Sequence, residues 1–390
     1  MAYQDSILHP GFKVGVLGGG QLGKMLAQAA NNWHLPLYLM DEAKAFPAGR
    51  VSPFFTEGGF KSYDDVYRFG KDKNVLTIEI EHVNTEALHQ LEKEGVTVHP
   101  APAQLDIIKD KGLQKQFYAE HGIPTAPFAL YENEEAVKEA VASGKRPLPF
   151  VQKSRTAGYD GRGVSIIRSE ADLAEKLLPG PCMIEDLVEM DKEIAVIVAR
   201  NESGQTQAFP AVEMAFNPEA NLVEFLFCPA NISKEVEAKA ESLAAQVINA
   251  YGICGLLAVE LFLDKAGNLL VNEVAPRPHN SGHHTIDSCY TSQFEQHLRA
   301  ILNLPLGSTK MKSPSVMVNL LGAPGHTGPA YYKNLEECLK IEGAHFHLYG
   351  KSTTKPFRKM GHATIVDESL ERAIGKARWI QEKLEIVSGD

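Results

Sequence analysis

The hydrophobic and polar positions of the first hundred residues switch between short apolar runs and helical periodicity. Residues 13–17 form a compact, valine-rich run, and the apolar residues after the following glycines lie on one face of a helix. Apolar runs at 36–40 and 75–80 predict two further strands, and a helix over 86–94 follows the second. Strands that alternate with helices in this way predict a doubly wound, parallel α/β unit.

The pattern changes after the proline-rich segment 99–103, which predicts a domain boundary. One helix is predicted over 104–121, followed by a small α+β unit. The remaining chain is rich in long apolar runs typical of antiparallel strands, with helices at 233–251 and 368–384. The predicted fold class is therefore mixed α/β and α+β, with domains at 1–103, 104–186 and 187–390.

Composition excludes several classes of protein. The chain has 390 residues, with 39 Lys and Arg against 49 Asp and Glu, so its net charge of −10 argues against general nucleic-acid binding. No apolar run is long enough to cross a membrane, and the N-terminus lacks the pattern of a signal peptide. Five widely spaced cysteines without a C-x-x-C pair favour reduced, buried thiols in a cytoplasmic protein.

A glycine cluster lies between the first strand and the first helix. Gly18, Gly20 and Gly23 form G-x-G-x-x-G, and Asp41 ends the next strand. This context is typical of a dinucleotide site, in which the acidic residue binds a ribose hydroxyl. The alternative is a tight turn whose N–H groups bind another anion or nothing, and the motif alone does not decide between them.

The apolar segment 254–274 predicts a β-hairpin with a loop at 265–268. In the register centred on that loop, Glu260 faces Glu273, and Asp264 faces Leu269. Facing like charges in an apolar ladder are destabilising, so one carboxyl must be protonated or a cation must lie between them.

Mg²⁺ suits such a pair, because it commonly takes one or two carboxylates and shares its other positions with phosphate oxygens. Asn272 would add a nearby oxygen, although its side chain is expected to alternate to the other face. The alternative is a register slipped by one residue, or one solvated glutamate.

A possible anion site follows at residues 275–284. Arg277 lies between two prolines and presents a rigid guanidinium fork to a carboxylate, bicarbonate or phosphate. His279 and Asn280 add hydrogen-bonding groups. A zinc site using His279 and His283 is disfavoured because no third ligand is suitably placed, and a purely structural loop is the other alternative.

Two further segments are candidates for binding a nucleotide or an anionic substrate. Lys153 precedes a glycine-rich loop that could close over phosphates, although a solvated hairpin tip is the alternative. Glu185 and Glu193 could serve a purine amine or ribose hydroxyls, whereas Glu189 is expected to be a surface acid. Residues 351–359 carry four cations, which could clamp a phosphoribosyl group or form a solvated loop.

The combination of GGGQLG at 18–23, GYDGRG at 158–163, NEVAPRPHNSGH at 272–283 and the late K-x-x-x-K-P-F-R-K-M-G-H closely resembles the 5-(carboxyamino)imidazole ribonucleotide synthase family of the ATP-grasp superfamily. The resemblance covers nearly the whole chain. It implies an ATP-grasp fold with an N-terminal Rossmann-like domain, a small lid domain and a C-terminal mixed-sheet domain. It also implies that the first domain does not bind NAD, so that Asp41 has no dinucleotide role.

The resemblance further implies an ATP- and bicarbonate-dependent carboxylation in purine biosynthesis, a cytoplasmic location and a homodimer, with no nucleic-acid or membrane partner. Bicarbonate would lie near Arg277, His279 and Asn280, and Glu260 and Glu273 would hold Mg²⁺. The residues implied in binding ATP are Lys111, Lys153, Gly158, Tyr159, Asp160, Gly161, Arg162, Gly163, Glu185, Asp186, Leu187, Val188, Glu193, Asn272 and Glu273. Those implied in binding aminoimidazole ribonucleotide are Glu81, Tyr159, Asp160, Arg162, Lys351 and Arg358.

The chain departs from the family pattern at the basic cluster. Phe357 stands where the family usually has Gly, and Lys355 stands where it usually has Arg. Lysine keeps the charge of arginine but loses its bidentate fork. The alternatives left open are a formate-dependent ATP-grasp ligase, an NAD(P)-dependent dehydrogenase and a catalytically silent nucleotide-binding protein.

Overall fold

A computed structural model of the chain describes residues 6–7, 9–156, 163–217 and 222–389. The predicted loop residues Gly158, Tyr159, Asp160, Gly161 and Arg162 lie outside this part of the chain. All five cysteines are free and buried, as predicted. Across the described ranges, no helix combines the length and the apolar character that crossing a membrane requires.

The N-terminal residues fold into a parallel sheet with strand order β3-β2-β1-β4-β5, which confirms the predicted α/β unit. A short 3₁₀ helix, Pro47–Arg50, precedes the third strand. The elements are β1 Val14–Leu17, α1 Gln21–Asn31, β2 Leu37–Asp41, β3 Phe55–Glu57, α2 Tyr63–Gly70, β4 Val75–Ile78, α3 Thr85–Lys93 and β5 Thr97–His99.

The glycine turn before α1 is filled by the chain's own carboxylates. The Glu79 side chain, just after β4, accepts hydrogen bonds from the backbone N–H groups of Gly20 (2.6 Å) and Gly23 (2.7 Å). Asp41, at the end of β2, is buried and accepts a bond from the N–H of Gly19 at 2.7 Å. These contacts occupy the donors a pyrophosphate would use and turn Asp41 inward, which speaks against the dinucleotide alternative.

The helix predicted over 104–121 is in fact two helices, α4 Pro102–Ile108 and α5 Lys111–Glu120. Asp110 caps α5 by accepting bonds from the N–H groups of its first turn. Arg155 holds this cap through two bonds of 2.9 and 2.6 Å to the Asp110 carboxylate. The single-helix prediction was wrong because the break depends on Arg155, a residue distant in sequence that follows β7. As a result, Lys111 stands at the first position of α5.

The next unit is a small antiparallel sheet with strand order β6-β9-β7-β8. It provides the strand that carries Lys153 and the strand that carries Glu185, and the two strands pair directly. The elements are β6 Phe128–Tyr131, α6 Glu134–Ala142, β7 Phe150–Ser154, β8 Val164–Ile167, α7 Glu170–Glu175 and β9 Cys182–Asp186.

The remaining chain forms a large antiparallel sheet with the path β15-β14-β10-β12-β13-β16-β20-β18, and a small sheet with order β19-β17-β21. A 3₁₀ helix, Asn280–Gly282, follows β15. The elements are β10 Met190–Arg200, β11 Thr206–Ala208, β12 Val212–Asn217, β13 Leu222–Cys228, α8 Lys234–Tyr251, β14 Gly255–Asp264, β15 Leu269–Ala275, α9 Thr285–Ser288, α10 Gln293–Ile301, β16 Ser315–Leu321, β17 Gly328–Lys333, α11 Leu335–Cys338, β18 Ala344–Leu348, β19 Thr353–Thr354, β20 Lys359–Val366, α12 Leu370–Lys383 and β21 Glu385–Ser388.

Shared hydrophobic cores fix the two larger units against each other. Phe294 and Leu298 of α10 pack in one buried cluster with Val14 of β1 and Leu26 of α1. A second cluster joins Tyr118 of α5 to the apolar faces of β10, α8 and β14. This packing brings the ends of β4 and β15 and the start of α5 to one place. The proposed boundaries at 103 and 186 stay predictions.

The contacts in the glycine turn give a first prediction. Replacing Glu79 by Gln should lower the free energy of unfolding by about 1–3 kcal/mol at pH 8, because one backbone N–H would then face an amide NH₂ instead of an oxygen. Urea denaturation would measure the change, with Glu92→Gln on the exposed face of α3 as the matched control. Equal stabilities of the two variants would contradict this account of the turn.

Candidate active site

The predicted hairpin is formed by β14 and β15, and Glu260 pairs with Glu273 as the sequence predicts. The register shifts between Glu260 and Leu261, however, so that Leu263 rather than Asp264 faces Leu269. The extra residue is Asn272, which forms a β-bulge. The sequence register is therefore correct at the carboxylate pair and wrong nearer the turn.

The bulge also corrects the predicted direction of Asn272. Its side chain does not alternate away from the site, because its Oδ1 accepts a hydrogen bond from Lys153 Nζ at 2.8 Å. A bulge places two consecutive residues opposite one partner residue and re-aims their side chains. Asn272 and Glu273 therefore serve the same site.

Two lysines that the sequence analysis names as candidate site residues contact this hairpin. Lys111 forms an ion pair with Glu273, and Lys153 lies 3.0 Å from the Glu185 carboxylate in addition to its bond to Asn272. Lys153 is only 7% exposed. The helix break at Asp110 and the pairing of β7 with β9 are what direct the two ammonium groups into one cleft.

The surroundings shift the pKa values of the two facing carboxyls in opposite directions. Burial, together with Glu273 and Glu193, raises the pKa of Glu260 well above its usual range. Burial would also raise the pKa of Glu273, but Lys111 and Lys153 outweigh it and lower that pKa to about 2. Burial and the charge of Glu273 raise the pKa of Glu193 to about 7. The pair is therefore held with one proton on Glu260, unless a cation replaces that proton.

Lys115 was missed by the sequence analysis. It lies one turn after Lys111 on α5, and its side chain is 2% exposed. Its Nζ is 2.9 Å from Glu185, whose other oxygen contacts Lys153. The i, i+4 spacing from Lys111 places it on the same helix face, but a lysine inside a helix ordinarily indicates solvent exposure.

The predicted hinge residues lie at the end of β9 and beyond it. Glu185 is buried between lysines, so its side chain faces the interior. Asp186 is exposed and forms an ion pair with Arg146 at 2.7 Å. Leu187 and Val188 are half-buried and free of strand pairing. Glu189, the expected surface acid, is 84% exposed.

The loop after β15 connects the hairpin to the first sheet. Arg277 Nε lies 2.8 Å from Glu81 Oε1, beyond the end of β4. His279 Nε2 is 3.6 Å from Glu260, so the loop returns to the carboxylate pair. Asn280 Nδ2 is shielded from solvent and has no hydrogen-bond partner among the residues that the structure describes. An unpaired buried donor is costly, and this one fits an acceptor oxygen of a bound ligand.

Gln293 fixes this loop and was also missed. Its Oε1 accepts a bond from the His279 N–H at 2.9 Å, and its Nε2 donates to the His279 carbonyl at 2.8 Å. Gln293 is fully buried at the start of α10. Nothing in the sequence indicates that a glutamine at a helix start binds a loop fourteen residues earlier.

The zinc alternative does not fit the geometry. His279 Nδ1 bonds to Ser281 Oγ at 2.8 Å, whereas His283 Nδ1 lies 3.0 Å from Gln293 Nε2. The ring of His283 packs on His362 with centroids 4.6 Å apart. The described part of the chain contains no group of three or more His, Cys, Asp or Glu side chains arranged to hold a metal ion. The carboxylate pair of Glu260 and Glu273 fits a cation such as Mg²⁺, which commonly takes one or two protein carboxylates and fills its other positions with water and phosphate oxygens.

The C-terminal cations bond to their own loop. Lys351 Nζ donates to the carbonyl of Lys359 at 2.7 Å, and Arg358 Nη1 donates to the carbonyl of Thr353 at 2.8 Å. Phe357 has a φ of +60°, a left-handed conformation that favours glycine. This conformation gives a physical reason for the glycine that the family usually has there.

The unequal charge states give a second prediction. In metal-free buffer at pH 7.5, Glu273→Gln should lower the free energy of unfolding by about 1–2 kcal/mol, because Lys111 loses its partner. The Glu273 side chain is 40% exposed, so solvent screens the pair and keeps the cost moderate. Glu260→Gln should change stability by less than about 1 kcal/mol, since an amide replaces a protonated acid. Urea denaturation with EDTA would compare the two, and equal losses would refute the assignment.

Comparisons with known proteins agree with this geometry. Family models match a ribonucleotide synthetase preATP-grasp domain at 12–109, an ATP-grasp domain at 116–294 and a phosphoribosylaminoimidazole carboxylase C-terminal domain at 315–376. The N5-carboxyaminoimidazole ribonucleotide synthase of Bacillus subtilis is 36% identical over 96% of this chain and 95% of its own length. The chain spans 64–69% of the length of several fungal and plant phosphoribosylaminoimidazole carboxylases.

Solved structures extend this similarity to the fold. The N5-carboxyaminoimidazole ribonucleotide synthetase of Thermotoga maritima is 42% identical, with a TM-score of 0.89 over 97% of this chain and 100% of that one. The Aspergillus clavatus N5-carboxyaminoimidazole synthase, solved with ADP and 5-aminoimidazole ribonucleotide, is 32% identical, with a TM-score of 0.87 over 95% of this chain and 98% of that one. The chain therefore belongs to the N5-carboxyaminoimidazole ribonucleotide synthase family and has an ATP-grasp fold with an N-terminal preATP-grasp domain.

Proposed function

We infer that this chain carboxylates the exocyclic amine of 5-aminoimidazole ribonucleotide in purine biosynthesis, using ATP and bicarbonate and releasing ADP and phosphate. The observation that carries this function is the convergence of Lys111 and Lys153 on a hairpin whose carboxylate pair is followed directly by the Arg277 loop. One side of the cleft is built for phosphates, and the other for a small anion.

Lys111 and Lys153 are the groups we assign to the ATP phosphates. In the structure, the ammonium groups of these lysines contact oxygens of Glu273 and Asn272. Phosphate oxygens of a bound nucleotide would be further acceptors for the same ammonium groups. When bound at Glu260 and Glu273, Mg²⁺ would neutralise phosphate charge during transfer. Phosphoryl transfer needs positioning and charge neutralisation more than a protein nucleophile, which matches these side chains.

The Arg277 loop is the site we assign to bicarbonate. Arg277 and the unpaired Nδ2 of Asn280 supply a charge and a donor for its oxygens, and His279 lies beside them. A bicarbonate oxygen attacks the γ-phosphorus, and the bond to ADP breaks to give carboxyphosphate. The amine of the ribonucleotide then takes the carboxyl carbon and loses a proton, and phosphate leaves.

The assignments to the ribonucleotide are Glu81, which lies against Arg277, and Lys351 and Arg358 for its phosphate. Moving Lys351 and Arg358 onto a phosphate would exchange hydrogen bonds to neutral backbone carbonyls for stronger bonds to an anionic acceptor. Tyr159, Asp160 and Arg162 complete the assigned set on the strength of the sequence motif alone. For the nucleotide base and ribose, the assigned residues are Asp186, Leu187, Val188 and Glu193. The Glu185 side chain is instead turned inward, onto Lys115 and Lys153.

A homodimer and a cytoplasmic location are further proposals that rest on family membership. Sedimentation equilibrium of the purified protein would test the first, with a mass near twice the 42.7 kDa of one chain as the expected result.

A steady-state assay tests the reaction itself. With Mg·ATP and 5-aminoimidazole ribonucleotide at pH 8, we expect ADP release that requires the ribonucleotide, together with a labile carboxyamino product that forms only with bicarbonate. Formate in place of bicarbonate should not support product formation. Turnover of formate, or of another amine, would retain the fold and overturn the substrate assignment.

The unpaired amide gives a third prediction. Asn280→Ala should lower the rate of carboxylation by about 100-fold, because one donor to a developing oxyanion is lost, while the KM for ATP changes little. Coupled ADP assays over a range of bicarbonate concentrations would measure both constants, with Asn231→Ala, an exposed asparagine, as the control. A wild-type rate would remove Asn280 from the site.

A further inference from the structure

One buried carboxylate is shared by two ammonium groups behind the cleft. Glu185 is 2% exposed, and its two oxygens lie 2.9 Å from Lys115 Nζ and 3.0 Å from Lys153 Nζ. Lys153 also donates a hydrogen bond to the Asn272 side chain in the hairpin. Lys115 is instead enclosed, and its ammonium contacts Thr125 Oγ1 and the carbonyl of Val271.

Because Lys115 and Lys153 share the Glu185 carboxylate, Lys115 affects how strongly Glu185 holds the ammonium of Lys153. A buried ion pair at about 3 Å is strong in a low-dielectric interior, so a carboxylate paired with Lys153 alone would compete with any incoming anion for its ammonium. A second buried ammonium group that pairs with the same carboxylate would neutralise the charge of that carboxylate from within the protein interior. Lys115 occupies that position, and burial lowers its pKa to about 8 while Glu185 opposes the shift.

We propose that Lys115 is a positioning residue that neutralises Glu185 and so leaves the ammonium of Lys153 available to a nucleotide phosphate. Lys115 itself does not touch the nucleotide. The inference rests on the proposed function, because it assumes that Lys153 binds an ATP phosphate.

A double-mutant cycle that removes the two charges tests the proposal. Lys115→Met should raise the KM for ATP about tenfold with a smaller change in kcat, because the unneutralised Glu185 now holds Lys153. Adding Glu185→Gln to that variant should return the KM to within about threefold of wild type, since the restraining charge is gone. A residue that only fills space would not be rescued by a second substitution. Lys138→Met, an exposed lysine on α6, is the matched control.

A double variant that binds ATP as poorly as Lys115→Met, or worse, would overturn the proposal. If Lys115→Met does not fold, the double variant decides alone, because it removes Lys115 and the charge of Glu185 together, and Lys153 keeps its bond to Asn272. It should fold with a near-wild-type KM, and a folded double variant with a strongly raised KM would refute the inference.

Lys153→Met separates this inference from the function on which it rests. We expect calorimetry with Mg·ADP to show at least about tenfold weaker binding in that variant. Unchanged binding would remove Lys153 from the nucleotide site and overturn both assignments. Weakened binding in Lys153→Met without rescue in the double variant would overturn only the role of Lys115.

Discussion

Glu260 and Glu273 face each other across neighbouring strands of one hairpin. The repulsion between these two carboxylates must be compensated, and the other charged groups of the site do so. Two facing carboxylates in an apolar sheet cannot both be ionised without compensation. Lys111 and Lys153 hold the charge of Glu273, whereas burial keeps the proton on Glu260. In the proposed function, a cation would replace the proton on Glu260, and the two lysines would contact phosphate oxygens.

Long-range contacts make this local arrangement possible. The bulge at Asn272 lies on β15, the edge strand of the large sheet, where the N–H of Val271 donates to the carbonyl of Pro124 at 2.8 Å. The hydroxyl of Thr125 donates to the carbonyl of Val271 at 2.7 Å. The segment after α5 thus covers the edge strand just where its register shifts. The same packing places Lys111 against Glu273, so hairpin and helix are positioned by one set of contacts.

The sequence predicts the parts of the site that depend on local rules. Register arithmetic pairs Glu260 with Glu273 correctly because the extra residue in the bulge, Asn272, offsets the one-residue error next to the turn. It fails at Asp264 and Asn272 because a bulge is set by tertiary contacts. The helix break before Lys111 is missed for the same reason, since Arg155 fixes the Asp110 cap.

The polar residues that the sequence does not predict, Gln293 and Lys115, contact other site residues and hold them in place. Gln293 and Lys115 both have side chains that are ordinarily exposed, and both are buried here because a distant segment supplies their partners. Neither lies in a recognisable motif, whereas the residues that they hold, His279 and Glu185, lie in or beside one. Motifs therefore identify candidate site residues, and only the packed structure identifies the residues that hold them in place.

The glycine turn shows most directly how one motif can serve two purposes. A G-x-G-x-x-G turn exposes N–H groups at a helix N-terminus, and an anion must satisfy them. In a dinucleotide-binding protein the pyrophosphate does so. In this chain the Glu79 carboxylate does so from the neighbouring strand, although burial raises its pKa to about 7. The same strand end carries Glu81, two residues further on, to Arg277. An internal carboxylate thus takes the place of a bound anion at the glycine turn, and the first domain meets the candidate site at Glu81, beyond the edge of its sheet.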